Sequence, residues 1–210
     1  MKTLADMNLA EFNAAIASKE PAPGGGSASA MAGAMGVGLS VMVANLTKGK
    51  KKYAEHDELM QEIITKASAL QESFVSAIDK DTEAYNGVSA VFSMPKETDE
   101  DKAERARSME AALKSATLVP YELMENCGKA LDLVESMIGR SNTNCASDLG
   151  VAALNLGSAA MGAWMNVMIN LSGIKDEEFV QKIKSGGGVT IEKCKKSSQV
   201  VIDQVMNGLK

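Results

Sequence analysis

Two kinds of stretch alternate along this chain. In one, apolar residues recur every three or four positions against charged neighbours. In the other, no charged residue occurs at all: residues 21–47 and 149–174 are built largely from Gly, Ala, Ser, Met, Val, Leu and Asn. No segment alternates apolar and polar residues over the length of a strand, and no internal repeat is visible, so the periodicity is helical nearly throughout. It predicts helices over 8–18 with Asn8 as cap, 27–46, 53–92, 101–138 and 147–172, a short helix opening at Asp176, and a last helix over 190–207. Gly49 is expected to stop the second of these, with Lys48, Lys50, Lys51 and Lys52 at the C-terminal end where cations are favoured. Thr98 or Asp99 can cap the helix after the Pro95 turn, Pro120 should kink or break it, and 139–145 reads as a polar loop. Gly186, Gly187 and Gly188 are expected to interrupt the final segment. The predicted architecture is all-α: one domain over 1–210, a bundle of long antiparallel helices with the two uncharged, small-residue helices at its centre.

Two uncharged runs of this length also raise a membrane reading. Their composition argues against it, because Asn155, Asn166 and Asn170 would be costly in lipid and Gly, Ala and Ser outnumber Leu, Ile and Phe. Wholly apolar helices also occur at the centre of helical proteins that span nothing. A net charge of −5 and only 4% aromatic residues leave neither a phosphate-binding surface nor stacking platforms, so nucleic acid is not an expected partner. The three cysteines, Cys127, Cys145 and Cys194, are odd in number and form no C-x-x-C pair, which fits reduced thiols and a cytoplasmic location. The single histidine, His56, sits among Glu55, Asp57 and Glu58 and supports no metal site. The 14 methionines read as core filler.

Chemistry is suggested at three places. The turn Pro23-Gly24-Gly25-Gly26-Ser27 leads into a helix N-terminus, whose unpaired N–H groups favour anions and polar ligand groups. It is not a nucleotide loop, since no Gly-Lys-Ser/Thr follows and no strand precedes it. On the long third helix, advancing about 100° per residue from Phe74 places Ile78, Tyr85 and Val88 on one stripe with Asp81 in its middle. Asp79 and Glu83 fall on the polar face and read as ordinary. A carboxylate in an apolar stripe is expensive unless paired, hydrogen-bonded or protonated, and burial raises its pKa toward the range of a general acid or base. The competing reading is an internal carboxylate that caps or pairs with a neighbouring helix. The third place is the loop from Ser141 to Asp148. Asn144 or Ser147 as an N-cap, with Asp148 in the first turn, accounts for it structurally; alternatively Asn142, Ser147 and Asp148 hydrogen-bond a heterocycle. Lys50 and its neighbours are a solvated helix end or bind a ligand carboxylate, and Arg140 has the same two readings. Cys145 opens a helix but has no evident catalytic partner.

Together these segments resemble the formiminotetrahydrofolate cyclodeaminase/methenyltetrahydrofolate cyclohydrolase family. The matching pieces are Ala22-Pro-Gly-Gly-Gly-Ser27, Leu46-Thr-Lys-Gly-Lys-Lys-Lys-Tyr53, Asp79-Lys-Asp-Thr-Glu-Ala-Tyr85, Met94-Pro-Lys96, Val119-Pro120, Asn142 with Ser147-Asp148-Leu149, and Asn166-Val-Met-Ile-Asn-Leu171, in the family's order along nearly the whole chain. The resemblance implies an all-helical homodimer that takes a tetrahydrofolate derivative as substrate, with no metal and no prosthetic group. In animals the same unit is fused to a formiminotransferase; this chain reads as a stand-alone version, with that transferase as a possible separate partner. The family's catalytic aspartate falls on Asp81, and Pro23, Gly24, Gly25, Gly26, Ser27, Lys50, Tyr85, Asn142, Ser147 and Asp148 become the expected substrate-binding set. The expected reaction is cyclisation of 5-formiminotetrahydrofolate to 5,10-methenyltetrahydrofolate with loss of ammonia, a step of histidine degradation. The alternatives are hydrolysis of the methenyl compound to 10-formyltetrahydrofolate, or a non-enzymatic helical packing protein.

Overall fold

The computed structural model describes residues 3–209, and all regular structure among them is helical. Six α-helices follow in order: α1 Leu9–Ile16, α2 Gly25–Thr47, α3 Asp57–Phe92, α4 Asp99–Ser136, α5 Ala146–Leu171 and α6 Glu177–Gly208. Short 3₁₀ turns, Lys51–His56 and Thr143–Cys145, precede α3 and α5. The starts carry the caps that polar residues provide. Asn8 and Glu11 form a capping box on α1, as do Thr98 and Asp101 on α4, and Asp176 accepts from the Phe179 N–H at the head of α6. Glu110 on α4 accepts from the backbone N–H groups of Lys175 and Asp176, while Lys114 pairs with Asp176, which ties the start of α6 to α4.

Four expectations shift. The helix at 53–92 begins instead at Asp57, because Tyr53 leaves helical geometry inside the 3₁₀ turn (φ −119°, ψ 16°). Gly24, not a later residue, caps α2, which therefore starts at Gly25 rather than Ser27. Helix α4 runs unbroken through Pro120. Helix α6 is continuous through Gly186, Gly187 and Gly188, where an interruption was expected. Its continuity has a packing reason: a Cβ on Gly187 would lie 2.2 Å from the Trp164 ring of α5, so the missing side chain lets the two helices meet. Gly49 does end α2, in the left-handed region at φ +75°, where a side chain would be strained.

The core is drawn from all the long helices: Val37 and Val43 of α2, Met60, Ile63 and Phe74 of α3, Met124, Leu131 and Val134 of α4, and Leu156 of α5 are wholly buried. Helix α5 adds Ala152, Ala153, Ala159, Ala160 and Ala163, also wholly buried. Helices α2 and α3 run antiparallel, as Ser27 meets Asp81 and Gly33 meets Phe74. Helices α2 and α5 are antiparallel too, Gly25 lying by Asn166 and Gly36 by Leu156. Helices α4 and α6 run parallel, Tyr121 facing Gly186 and Gly128 facing Cys194. The uncharged helices α2 and α5 are central, but only on one side. Met35, Met42 and Leu46 of α2 and Val151, Leu154, Met165, Met168 and Ile169 of α5 are exposed, Ile169 at 70%. Among the described residues α2 alone is long and apolar enough to cross a membrane, and 56% of that window is buried within the fold.

Candidate active site

The glycine turn brings Asp81 under the start of α2. Helix α2 has no capping side chain of its own, because its cap is Gly24. The Asp81 carboxylate supplies one from α3: Oδ2 accepts from the Ser27 N–H at 2.9 Å, the third residue of the helix. The Ser27 hydroxyl lies 3.2 Å from the same oxygen and donates to the Ile78 carbonyl at 2.8 Å. Gly26 is what permits the approach, since a Cβ there would fall 1.9 Å from Asp81 Oδ1. The capping reading of Asp81 therefore holds, and it leaves one carboxylate oxygen uncommitted. It caps a neighbouring helix through one oxygen, and its other oxygen accepts no hydrogen bond within the described residues. Burial pushes its pKa above the usual carboxylate value, and the Ser27 hydrogen bonds offset part of that rise.

Asp81 lines a cleft of about 260 Å³. One side is the loop Pro21, Ala22 and Gly24; α3 gives Ala84, Tyr85, Val88 and Phe92; α4 gives Ala116 and α5 gives Asn170. The walls are largely apolar and carry no second carboxylate and no amine. A larger groove of about 640 Å³ lies between α3 and α4, but most of its charges are engaged: Lys66 pairs with Glu62, Lys129 donates to Asn126 and Asp132 pairs with Lys193. The cleft, with a half-buried carboxylate turned into it, is the better seat for chemistry.

Of the expected site residues, Gly24, Gly26, Ser27, Asp81 and Tyr85 gather here. Gly25 is exposed beside Asn166, and Pro23 is buried and does not line the cleft. Lys50, Asn142, Ser147 and Asp148 lie elsewhere in the chain. Asn142 sits at the opposite end of α2, its N–H donating to Thr47 Oγ1 and its side chain to the Leu46 carbonyl, about 30 Å from Ser27 along the helix. There Asn142 also caps the 3₁₀ turn before α5, so neither Asn144 nor Ser147 takes that role. Tyr53 joins this second cluster: its hydroxyl bonds to Thr143, which together with the nearby Lys52 ammonium pulls the phenol down to about 8. Asp79, read as ordinary, accepts from the Leu4 and Ala5 N–H groups and so fastens the N-terminal turn to α3.

The same segments carry a family signature. The formiminotransferase-cyclodeaminase family model matches residues 8–186, most of the chain and all of the residues around Asp81. The chain belongs to this family. It is 40% identical over 167 residues to the methenyltetrahydrofolate cyclohydrolase of Methylorubrum extorquens, covering 80% of each protein. It is 31% identical to the formimidoyltransferase-cyclodeaminase of Gallus gallus, covering 96% of this chain but only 37% of that larger protein. The crystal structure of formiminotetrahydrofolate cyclodeaminase from Thermotoga maritima superposes with a TM-score of 0.82 at 27% identity, covering 95% of this chain and 98% of that one. Family membership accounts for the ordered motifs. The sequence marks Asn170 as part of a motif and as a polar residue unsuited to lipid; what gives it a place in the cleft is a contact between helices that no local pattern encodes.

Proposed function

We propose that this protein is a methenyltetrahydrofolate cyclohydrolase with Asp81 as its general base. The observation that carries the reading is the single half-buried carboxylate, anchored through Oδ2 and open at Oδ1, in a small cleft otherwise without acid or amine. The methenyl carbon of 5,10-methenyltetrahydrofolate is cationic and open to water. Asp81 takes one proton as the water oxygen bonds to that carbon, giving a neutral carbinolamine. The carbon–N5 bond then breaks as the C=O forms: Asp81 returns its proton to N5, and the hydroxyl proton leaves to solvent. The balance is one water consumed, one 10-formyltetrahydrofolate and one proton formed. Until water adds, the negative carboxylate also lies near the cation. Similarity to a cyclohydrolase that matches over 80% of both chains favours this reaction.

Cyclodeamination is the second reading, favoured by the Thermotoga fold match. There N10 attacks the carbon of the protonated formimino group, Asp81 removes the N10 proton and passes it to the amino group of the adduct, and ammonia leaves with the electron pair of its C–N bond to give the methenyl cation. In that case a separate formiminotransferase would supply the substrate. Supplying purified protein with each folate separately tests both. Accelerated loss of the methenyl absorbance supports the cyclohydrolase, and ammonium release from 5-formiminotetrahydrofolate supports the cyclodeaminase. Turnover of neither would sink both.

The working unit we propose is a homodimer in the cytoplasm. Pockets for drug-sized ligands span roughly 300–1,000 Å³, whereas this cleft, at about 260 Å³, admits only the reacting end of a folate. The exposed apolar strip along α2 and α5 borders it. Three buried free cysteines, Cys127, Cys145 and Cys194, fit a reducing compartment.

A further inference from the structure

Pro120 lies inside α4 and has no N–H, so the carbonyl of Ala116, four residues earlier, loses its helical donor. A carbonyl left so is costly unless another donor reaches it. Asn170 of α5 reaches it: its Nδ2 donates to the Ala116 oxygen at 2.9 Å across 54 residues of sequence. Ala116 and Asn170 both line the cleft that holds Asp81. The consequence lies in the other half of the amide. With its nitrogen committed to Ala116, Asn170 is fixed in orientation, and its Oδ1 accepts no hydrogen bond within the described residues. An asparagine free to turn can swap its oxygen and nitrogen ends; this one holds Oδ1 in a fixed place as an acceptor, with the second Nδ2–H as its one remaining donor.

We propose that Asn170 is a substrate-binding residue whose Oδ1 accepts an N–H of the reduced pterin, and that Pro120 is its positioning residue, holding the amide in that orientation by vacating the Ala116 carbonyl. The proposal rests on a folate entering the Asp81 cleft. The pyrimidine edge and the ring nitrogens of a tetrahydropterin carry several N–H donors, and the cleft walls are otherwise largely apolar. An acceptor held in a fixed place favours a pose that sets an N–H-bearing edge against Oδ1, and so orients the ring relative to Asp81.

The test uses Pro120→Ala, Asn170→Ala and the double variant, each measured for melting temperature and for kcat and KM with 5,10-methenyltetrahydrofolate. Tetrahydrofolate binding by calorimetry gives a readout free of turnover. Pro120→Ala restores an N–H to Ala116 and releases the Asn170 amide, so its melting temperature holds or rises while KM rises about threefold to tenfold. Asn170→Ala removes the acceptor and orphans the Ala116 carbonyl, so it lowers the melting temperature and raises KM about tenfold or more. The double variant decides between roles. The N–H restored at position 120 supplies the Ala116 carbonyl, so stability returns, but the acceptor is still missing and KM stays as high as in Asn170→Ala. If KM recovers along with stability in the double variant, Asn170 is purely structural and the proposal is wrong. An unchanged KM in Pro120→Ala overturns the positioning role. A wild type that neither turns over nor binds a folate defeats the functional reading itself; a wild type that does both beside variants of unaltered KM defeats only this inference.

Discussion

At Asp81 two demands meet in one side chain. As a cap it accepts from Ser27, and as the proposed base it would take up a proton and return it. Its folded-state pKa lies above the ordinary value because burial disfavours the charge. Protonated Asp81 therefore favours the fold below its unfolded pKa, and that contribution is lost as pH rises through the raised folded value. Asn at this position keeps an acceptor for the Ser27 N–H and removes the buried charge. Asp81→Asn should thus lose roughly 10²- to 10⁴-fold in kcat, yet melt no lower than the wild type at pH 8. A thermal melt beside a rate measurement checks both, and an early melt would make Asp81 a structural ion instead. In the wild type the acid limb of the pH–rate profile should sit above the usual carboxylate range. Gly26→Ala presses a Cβ toward Oδ1, which lies 1.9 Å from that position; it should cost about 1–3 kcal/mol of stability and displace the base. A denaturation midpoint unchanged from wild type would contradict this. Asp81 was legible in the sequence because a charge in an apolar stripe breaks a local periodic pattern. The use of Asn170 was not, because its partner is a carbonyl vacated by Pro120 on another helix, and helical spacing carries no record of contacts 54 residues apart.

Helices were legible wherever the 3.6-residue period and a cap agreed, as at Asn8 with Glu11 and at Thr98 with Asp101. They were misread where glycine or proline propensity was set against packing. Three successive glycines lower helix propensity by about 1 kcal/mol each, but α6 keeps its register because it is held along its length. Ser198 donates to the Ala153 carbonyl, Cys194 packs beside Met124, and Gly187 lies under Trp164. The three glycines are not equivalent. A Cβ added at Gly188 would meet nothing within 4 Å, so Gly188→Ala should stabilise the protein by about 0.5–1 kcal/mol. Gly187→Ala meets the indole ring at 2.2 Å and should destabilise it despite the better propensity. Urea denaturation of the two variants checks the pair: shifts of the same sign would show that propensity, not the α5 contact, decides this stretch.

At the scale of the molecule, the lack of charge along α2 and α5 is only half explained by the core. Each helix buries one side and exposes the other, and the exposed residues run from Met165, Met168 and Ile169 near the Asp81 cleft to Leu46 and Val151 near the Asn142 loop. Exposed apolar residues along both helices are the surface that the proposed dimer would bury. A two-fold pair uses the same patch on both copies. If α2 of one copy crosses antiparallel to α2 of the other, the second copy's Lys50 and its loop from Asn142 to Asp148 come toward the Asp81 cleft. The two halves of the expected site, about 30 Å apart within one chain, would then adjoin across the interface, and a folate too long for the cleft would lie between them. If such a pair is the working unit, Ile169→Glu should leave a monomer in size-exclusion chromatography with light scattering, and lower activity with it. Complementation tests the sharing directly. Asp81→Asn and Asp148→Asn each disable their own half of every site in a homodimer. Mixed dimers of the two hold one site with both halves intact, so an equilibrated mixture should recover about one quarter of wild-type activity. A mixture as inactive as its components would mean that each chain builds its site alone, and that the loop at the far end of α2 serves only to cap α5.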